Sequence, residues 1–174
     1  MSFNKREQML KIYLAGPDVF EPDAITQGKR LKASCAQYGF VGLFPLDNEI
    51  DQSGTPHEVA QRIRDANIGL IAECDIILAN LNPFRGLEPD SGTVYEVGYA
   101  TALQKKVYAY ANDQRSMIER IRESQSLNPS ATHCQDNKVI EDFGLPLNLM
   151  MLDILIAKDI EEALAQLQVE FNDA

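Results

Sequence analysis

The chain has 174 residues, 45% hydrophobic and 24% charged, with 16 Lys+Arg against 26 Asp+Glu and a formal net charge of −10. That length suits one domain across residues 1–174 with a continuous core. The acid surplus argues against a nucleic-acid polymer as partner, since phosphate backbones are bound by clustered Lys and Arg, but it is compatible with a single nucleoside. No run approaches the roughly 18 apolar residues of a bilayer span and the opening Met1-Ser-Phe-Asn-Lys-Arg-Glu-Gln is polar, so no membrane association and a cytoplasmic location are expected.

Short apolar runs alternate with longer amphipathic ones. Leu10-Lys-Ile-Tyr-Leu-Ala15 reads as a strand stopped by Gly16-Pro17, and helical spacing from about Asp23 to Tyr38 ends at Gly39. Val41 to Phe44 forms a second strand, closed by Pro45. After a polar loop from Asp47 to Thr55, Pro56 opens a helix to about Glu73, with Val59, Ile63, Ile68, Leu70 and Ile71 as its apolar stripe. Asp75-Ile-Ile-Leu-Ala-Asn80 is the clearest strand. A loop to Asp90 leads to a third helix from Ser91, read as its N-cap, to Gln104, and then to the strand Lys106-Val-Tyr-Ala-Tyr110.

Residues from about Asn112 to Asn137 are polar and weakly periodic, which reads as a mobile or functional loop. Beyond them, Phe143 to Leu152 is a turn entering a short helix, Ile154 to Ala157 a fifth strand, and Asp159 to Phe171 a closing helix. Strand–helix alternation predicts a doubly wound α/β fold, a flavodoxin/Rossmann-like three-layer sandwich with a parallel sheet of four to five strands. Ligands in such folds lie beyond the carboxyl ends of the strands. Cys35, Cys74 and Cys134 are odd in number and share no ligand spacing with His57 and His133, so reduced thiols and no metal site are expected.

The first such loop, Ala15 to Asp23, has one glycine and three acids and lacks G-x-G-x-x-G; no P-loop occurs elsewhere. It would repel a phosphate, which favours a neutral substrate. The richest segment runs from Asn80 to Ala100. Glu96 lies there among Val94, Tyr95, Val97, Gly98, Tyr99 and Ala100, either on a single wet face or held in a pocket. Asp90 reads alone as an acid favouring the helix dipole. Together, two carboxylates near one ligand are equipment for glycosidic chemistry, one of them attacking the anomeric carbon.

Ile12-Tyr-Leu-Ala-Gly-Pro17, Pro45-Leu-Asp-Asn48, the Asn67 to Asp75 segment, Glu88-Pro-Asp-Ser-Gly-Thr-Val-Tyr-Glu-Val-Gly98 and Leu145-Pro-Leu-Asn-Leu-Met150 together resemble the nucleoside 2-deoxyribosyltransferases. The resemblance implies transfer of 2-deoxyribose between purine or pyrimidine bases of 2′-deoxyribonucleosides, with retention, through a covalent ester on Glu96. It makes Tyr13 the residue that orients that carboxylate and Asp90 the acid that contacts the sugar. It also implies that Asn148, lent by a neighbouring subunit, reaches the sugar's hydroxyl end in a homo-oligomer.

The same resemblance places Gly16, Pro17, Phe20, Asp47, Asn48, Glu49, Asp65, Asn67, Gly92 and Met150 on the substrate-binding surface, with a 2′-deoxyribonucleoside and a free nucleobase as partners and no cofactor. A carboxylate suits this chemistry because the transition state is oxocarbenium-like and positive. Two positions depart from some relatives: Asn67 stands where they have an aspartate near the base, and Glu49 where they have a glutamine. An asparagine cannot supply a proton, so Asp65, Asp90 or solvent would protonate the leaving base.

Arg85 is expected to orient its loop through Glu88 or to form a structural ion pair, Tyr95 and Tyr99 to serve the core or a subunit interface, and Phe20 to stack on a base or cover the loop. Two other readings stand beside the transferase. One is a hydrolase of nucleosides or deoxynucleoside 5′-monophosphates on the same fold, and the other a non-catalytic nucleotide-binding module.

Overall fold

A computed structural model describes residues 9–152 and 154–172. The polar N-terminal stretch read above for targeting signals lies outside the described residues. In chain order the elements are β1 (Lys11–Ala15), α1 (Ala24–Gln37), β2 (Val41–Leu43), α2 (Pro56–Glu73), β3 (Ile76–Asn80), α3 (Ser91–Ala102), β4 (Lys106–Tyr110), α4 (Met117–Ser124), β5 (Leu155–Ala157) and α5 (Ile160–Asn172). The five strands pair in parallel in the order β2-β1-β3-β4-β5, the expected doubly wound architecture.

Strand periodicity sorts the core into two layers. Ile12, Leu14, Ile76, Leu78, Tyr108 and Tyr110 pack with Leu31 and Cys35 of α1 and Leu164 and Leu167 of α5. The intervening residues Tyr13, Ala15, Ile77, Ala79 and Ala109 pack on the other face with Ile71 of α2 and Val97 and Ala100 of α3. This parity aims Tyr13 at α3. Both faces are covered, which is why β1 and β3 read as nearly unbroken apolar runs.

Two expectations are corrected. The N-cap of α3 is Asp90 and not Ser91: Asp90 Oδ2 accepts from Thr93 N at 2.9 Å and from Thr93 Oγ1 at 3.1 Å. Both residue types cap well, and the register of Thr93, which is buried, decides between them. The stretch 112–137 is not one irregular loop. It contains α4, opened by a reciprocal capping box in which Glu119 accepts from Ser116 N at 2.9 Å and Ser116 Oγ accepts from Glu119 N at 3.4 Å. A small reversal follows, with His133 bridged antiparallel to Val139.

The strand order reverses between β1 and β3, and a polar cluster fills that point. Asp18 is buried and accepts from Gln27 Nε2 at 3.0 Å and Asn80 Nδ2 at 2.9 Å. Gly16 is required there, because a Cβ would stand 2.6 Å from Asp18 Oδ2 and 2.8 Å from Asn80 Cβ. One of the three acids of the first loop is therefore an internal tie, which leaves Glu21 and Asp23 exposed.

Candidate active site

Tyr13 stands in the middle of β1, fully buried, and its hydroxyl donates to Glu96 Oε1 at 2.7 Å. Glu96 lies in the second turn of α3 and is half-buried. Burial pushes its carboxyl up to about 7, the bond from Tyr13 pulls the other way, and the nearby negative charge of Asp90 pushes it further up. The Tyr13 hydroxyl is raised from its ordinary value by burial and then by the facing Glu96 charge, so it stays a hydrogen-bond donor. A solvated surface glutamate is thus excluded. Glu96 is a desolvated carboxylate held in one orientation.

Glu96 opens onto a hollow of about 490 Å³ between α2 and α3, walled by Ile63, Asn67 and Ile68 on one side and Gly92, Tyr95 and Glu96 on the other. Asn67 Oδ1 is buried without a hydrogen-bond partner. An orphaned amide oxygen costs about 1–3 kcal/mol, which a polar ligand group or water can relieve. At Gly92 a Cβ would lie 3.0 Å from Asp90 Oδ2, so the glycine keeps the approach to the cap open.

The remaining expected residues are distributed unevenly. Asp65 is exposed and does not line the hollow that Asn67 lines, but it pairs at 3.0 Å with Arg64, which does. Asp47 caps the short turn after β2 by accepting from Phe44 N at 2.9 Å and pairs with Lys32, while Asn48 and Glu49 are exposed beside it. Gly16 and Pro17 begin the turn after β1, and Phe20, 57% exposed, ends it. Asn148 donates to Glu141 Oε2 at 3.1 Å and accepts from Met150 N at 3.1 Å, and Met150 is 84% exposed.

Arg85 makes neither expected ion pair. Its guanidinium lies 4.5 Å from the Phe84 ring centroid and 5.3 Å from that of Phe20, and the two rings stack at 5.2 Å. Phe20 thus has Phe84 and Arg85 as partners that its sequence position did not disclose. Tyr95 and Tyr99 stack on each other at 6.3 Å, with Tyr95 exposed at the hollow.

A larger hollow of about 770 Å³ lies along α3, with Val94, Val97, Gly98, Tyr108, Met150 and Leu152 in its walls. No carboxylate lines it, so its size does not make it the reaction site. Among the described residues no three His, Cys, Asp or Glu side chains cluster as a metal site, and no helix is long and apolar enough to cross a membrane. Cys35 and Cys74 are buried free thiols, and Cys134 is a partly buried one.

Comparison with known proteins supports the fold and identifies the family. A solved 2-desoxiribosyltransferase from Leishmania mexicana superposes with a TM-score of 0.73 at 34% identity, covering 92% of this chain and 97% of that one. A conserved protein from Enterococcus faecalis shares the fold, with a TM-score of 0.63 at 21% identity over 94% of this chain and 99% of that one. An uncharacterized protein of Schizosaccharomyces pombe is 32% identical over 114 residues, 64% of this chain and 54% of that protein. The chain thus spans about half the length of that curated relative. The profile described as nucleoside 2-deoxyribosyltransferase matches residues 12–150, and the chain belongs to that family.

Proposed function

We propose that the protein transfers 2-deoxyribose between nucleobases, with Glu96 as nucleophile. The hydrogen bond between Tyr13 and Glu96 at the edge of the α2–α3 hollow carries this reading, because it leaves one desolvated carboxylate oriented toward a nucleoside-sized space. Glu96 attacks the anomeric carbon as the bond to the base breaks, and the base leaves with a proton. An incoming base then attacks the anomeric carbon of the resulting ester from the opposite face, and the original configuration returns. The ester C–O bond breaks to restore the carboxylate, and the incoming nitrogen gives up its proton to the group or water that protonated the leaving base.

Asp90 contacts the sugar, and Asn67 meets the base with its unpaired amide oxygen. Asp65 is exposed and ion-paired with Arg64 at the rim of the hollow, so Asp90 and water are the better proton sources. The exposed Leu149, Met150 and Leu152 beside the larger hollow favour a second copy of the chain there, bringing Asn148 to a neighbour's sugar.

Incubation with deoxyinosine and free adenine or cytosine tests the proposal. Appearance of the exchanged deoxynucleoside supports it; free hypoxanthine without exchange marks a hydrolase, and no reaction marks a binding module. Glu96→Ala should abolish exchange while the chain stays folded.

A further inference from the structure

Arg120 is a buried cation on α4, 5% exposed; among the described residues it makes no contact ion pair, and Asp113 is the carboxylate near enough to feel its charge. Its guanidinium donates from Nη1 to the Leu87 carbonyl at 3.0 Å and from Nη2 to the Pro146 carbonyl; Nη2 also lies 3.6 Å from Met117 Sδ, and Nε has no partner. The same helix start is tied to this region by Met117 N, which donates to the Leu145 carbonyl at 2.8 Å. Leu87 lies three residues before Asp90 and Pro146 two residues before Asn148. One guanidinium therefore bridges two chain segments, distant in sequence, that carry the two polar residues assigned to the sugar.

A buried guanidinium with no carboxylate in direct contact is costly, and an apolar side chain of similar length would fill the space at lower cost. What only arginine supplies is a planar fork that reaches two carbonyls at once. We propose that Arg120 is a positioning residue which locks the loop carrying Asp90 to the segment carrying Asn148, so that Asp90 is held in register for the deoxyribose of its own site and Asn148 for that of the neighbouring subunit. The inference rests on the transferase reading for its substrate, but the tie between the segments is testable without catalysis.

Amide hydrogen exchange on Arg120→Met and Arg120→Lys decides the tie. Residues 87–90 and 145–149 should exchange at least tenfold faster together in Arg120→Met, with Arg120→Lys intermediate; a change confined to α4 would overturn the proposal. In catalysis, kcat/KM for deoxyinosine should fall tenfold or more in Arg120→Met, while the Kd of free hypoxanthine stays unchanged.

The ratio of kcat/KM for deoxyinosine to that for 2′,3′-dideoxyinosine should also drop toward one, because the grip on the 3′-hydroxyl loosens. An unchanged ratio with only a lower melting temperature would reduce Arg120 to a packing residue. Should the wild-type protein turn over no nucleoside, the functional reading fails, and amide exchange still decides whether the two segments are locked.

Discussion

The Tyr13 hydroxyl and Glu96 Oε1 are joined by a 2.7 Å hydrogen bond that spans 83 residues of sequence. Its origin is the alternation of β1: the neighbours Ile12 and Leu14 face α1 and α5, while Tyr13 faces α3. The bond tempers the electrostatics of the site, which burial dominates. Burial raises the Glu96 carboxyl, and the phenol restrains that rise by stabilising the charged form.

In the proposed reaction attack requires ionised Glu96, so kcat/KM should climb with pH through about 7, the value to which burial pushes its carboxyl. Tyr13→Phe removes the restraining hydrogen bond. The ascending limb should then move to higher pH, and exchange at pH 7 should fall by about tenfold, on the order of the loss of one charge-assisted hydrogen bond. A pH–rate profile of both proteins checks this, and an unmoved limb would separate Tyr13 from the reacting group.

Asp90 acts on Glu96 in the opposite sense, since its negative charge disfavours a second one nearby. Asp90→Asn should therefore move the same limb to lower pH, even as sugar binding weakens and KM rises. Asparagine caps helices as well as aspartate, so the melting temperature should hardly change, whereas Asp90→Ala should cost about 1 kcal/mol of stability. Opposite displacements by Tyr13→Phe and Asp90→Asn would assign the titration to Glu96.

The parts of this fold visible in the sequence were those fixed by local pattern. The strands at 76–80 and 106–110 and the helix at 56–73 follow from apolar runs, Pro56 and period, and Glu96 stands out as a carboxylate in apolar company. What local pattern does not carry is partnership across the chain. Arg85 shows no sign in sequence of stacking on Phe84 and Phe20, and Asp18 looks like a surface acid until Asn80 and Gln27 close on it. The helix at 117–124 was legible in principle: Ser116-Met-Ile-Glu119 is a capping-box pattern, masked by the polar residues around it.

Gly28 separates helix propensity from packing. It is buried in α1, and a Cβ there would stand 2.4 Å from Phe44 Cδ1. Alanine gains about 0.5–1 kcal/mol in a helix interior. Overpacking a filled core costs about 1–3 kcal/mol, and the rigid Phe44 ring, itself buried, has little room to yield. Gly28→Ala should thus destabilise the protein by about 1 kcal/mol in urea unfolding; stabilisation would mean that Phe44 repacks freely.

The proposal that the site is shared between subunits makes a prediction about mixtures. Glu96→Ala lacks the nucleophile but keeps Asn148, and Asn148→Ala lacks the sugar contact but keeps Glu96. If Asn148 serves its neighbour's site, subunit exchange between the two inactive proteins builds hybrids in which one site holds both residues. Random reassortment of a symmetric dimer would make half of the dimers hybrids with one intact site in two, recovering about a quarter of wild-type exchange activity. If Asn148 serves its own subunit, no combination restores a site and the mixture stays as inactive as its parts. Met150→Glu extends the test, since a charge at this 84% exposed apolar residue should dissociate the assembly and abolish the recovery. Sedimentation of Met150→Glu, read beside the mixing assay, then distinguishes a site that needs two chains from one that merely sits near their contact.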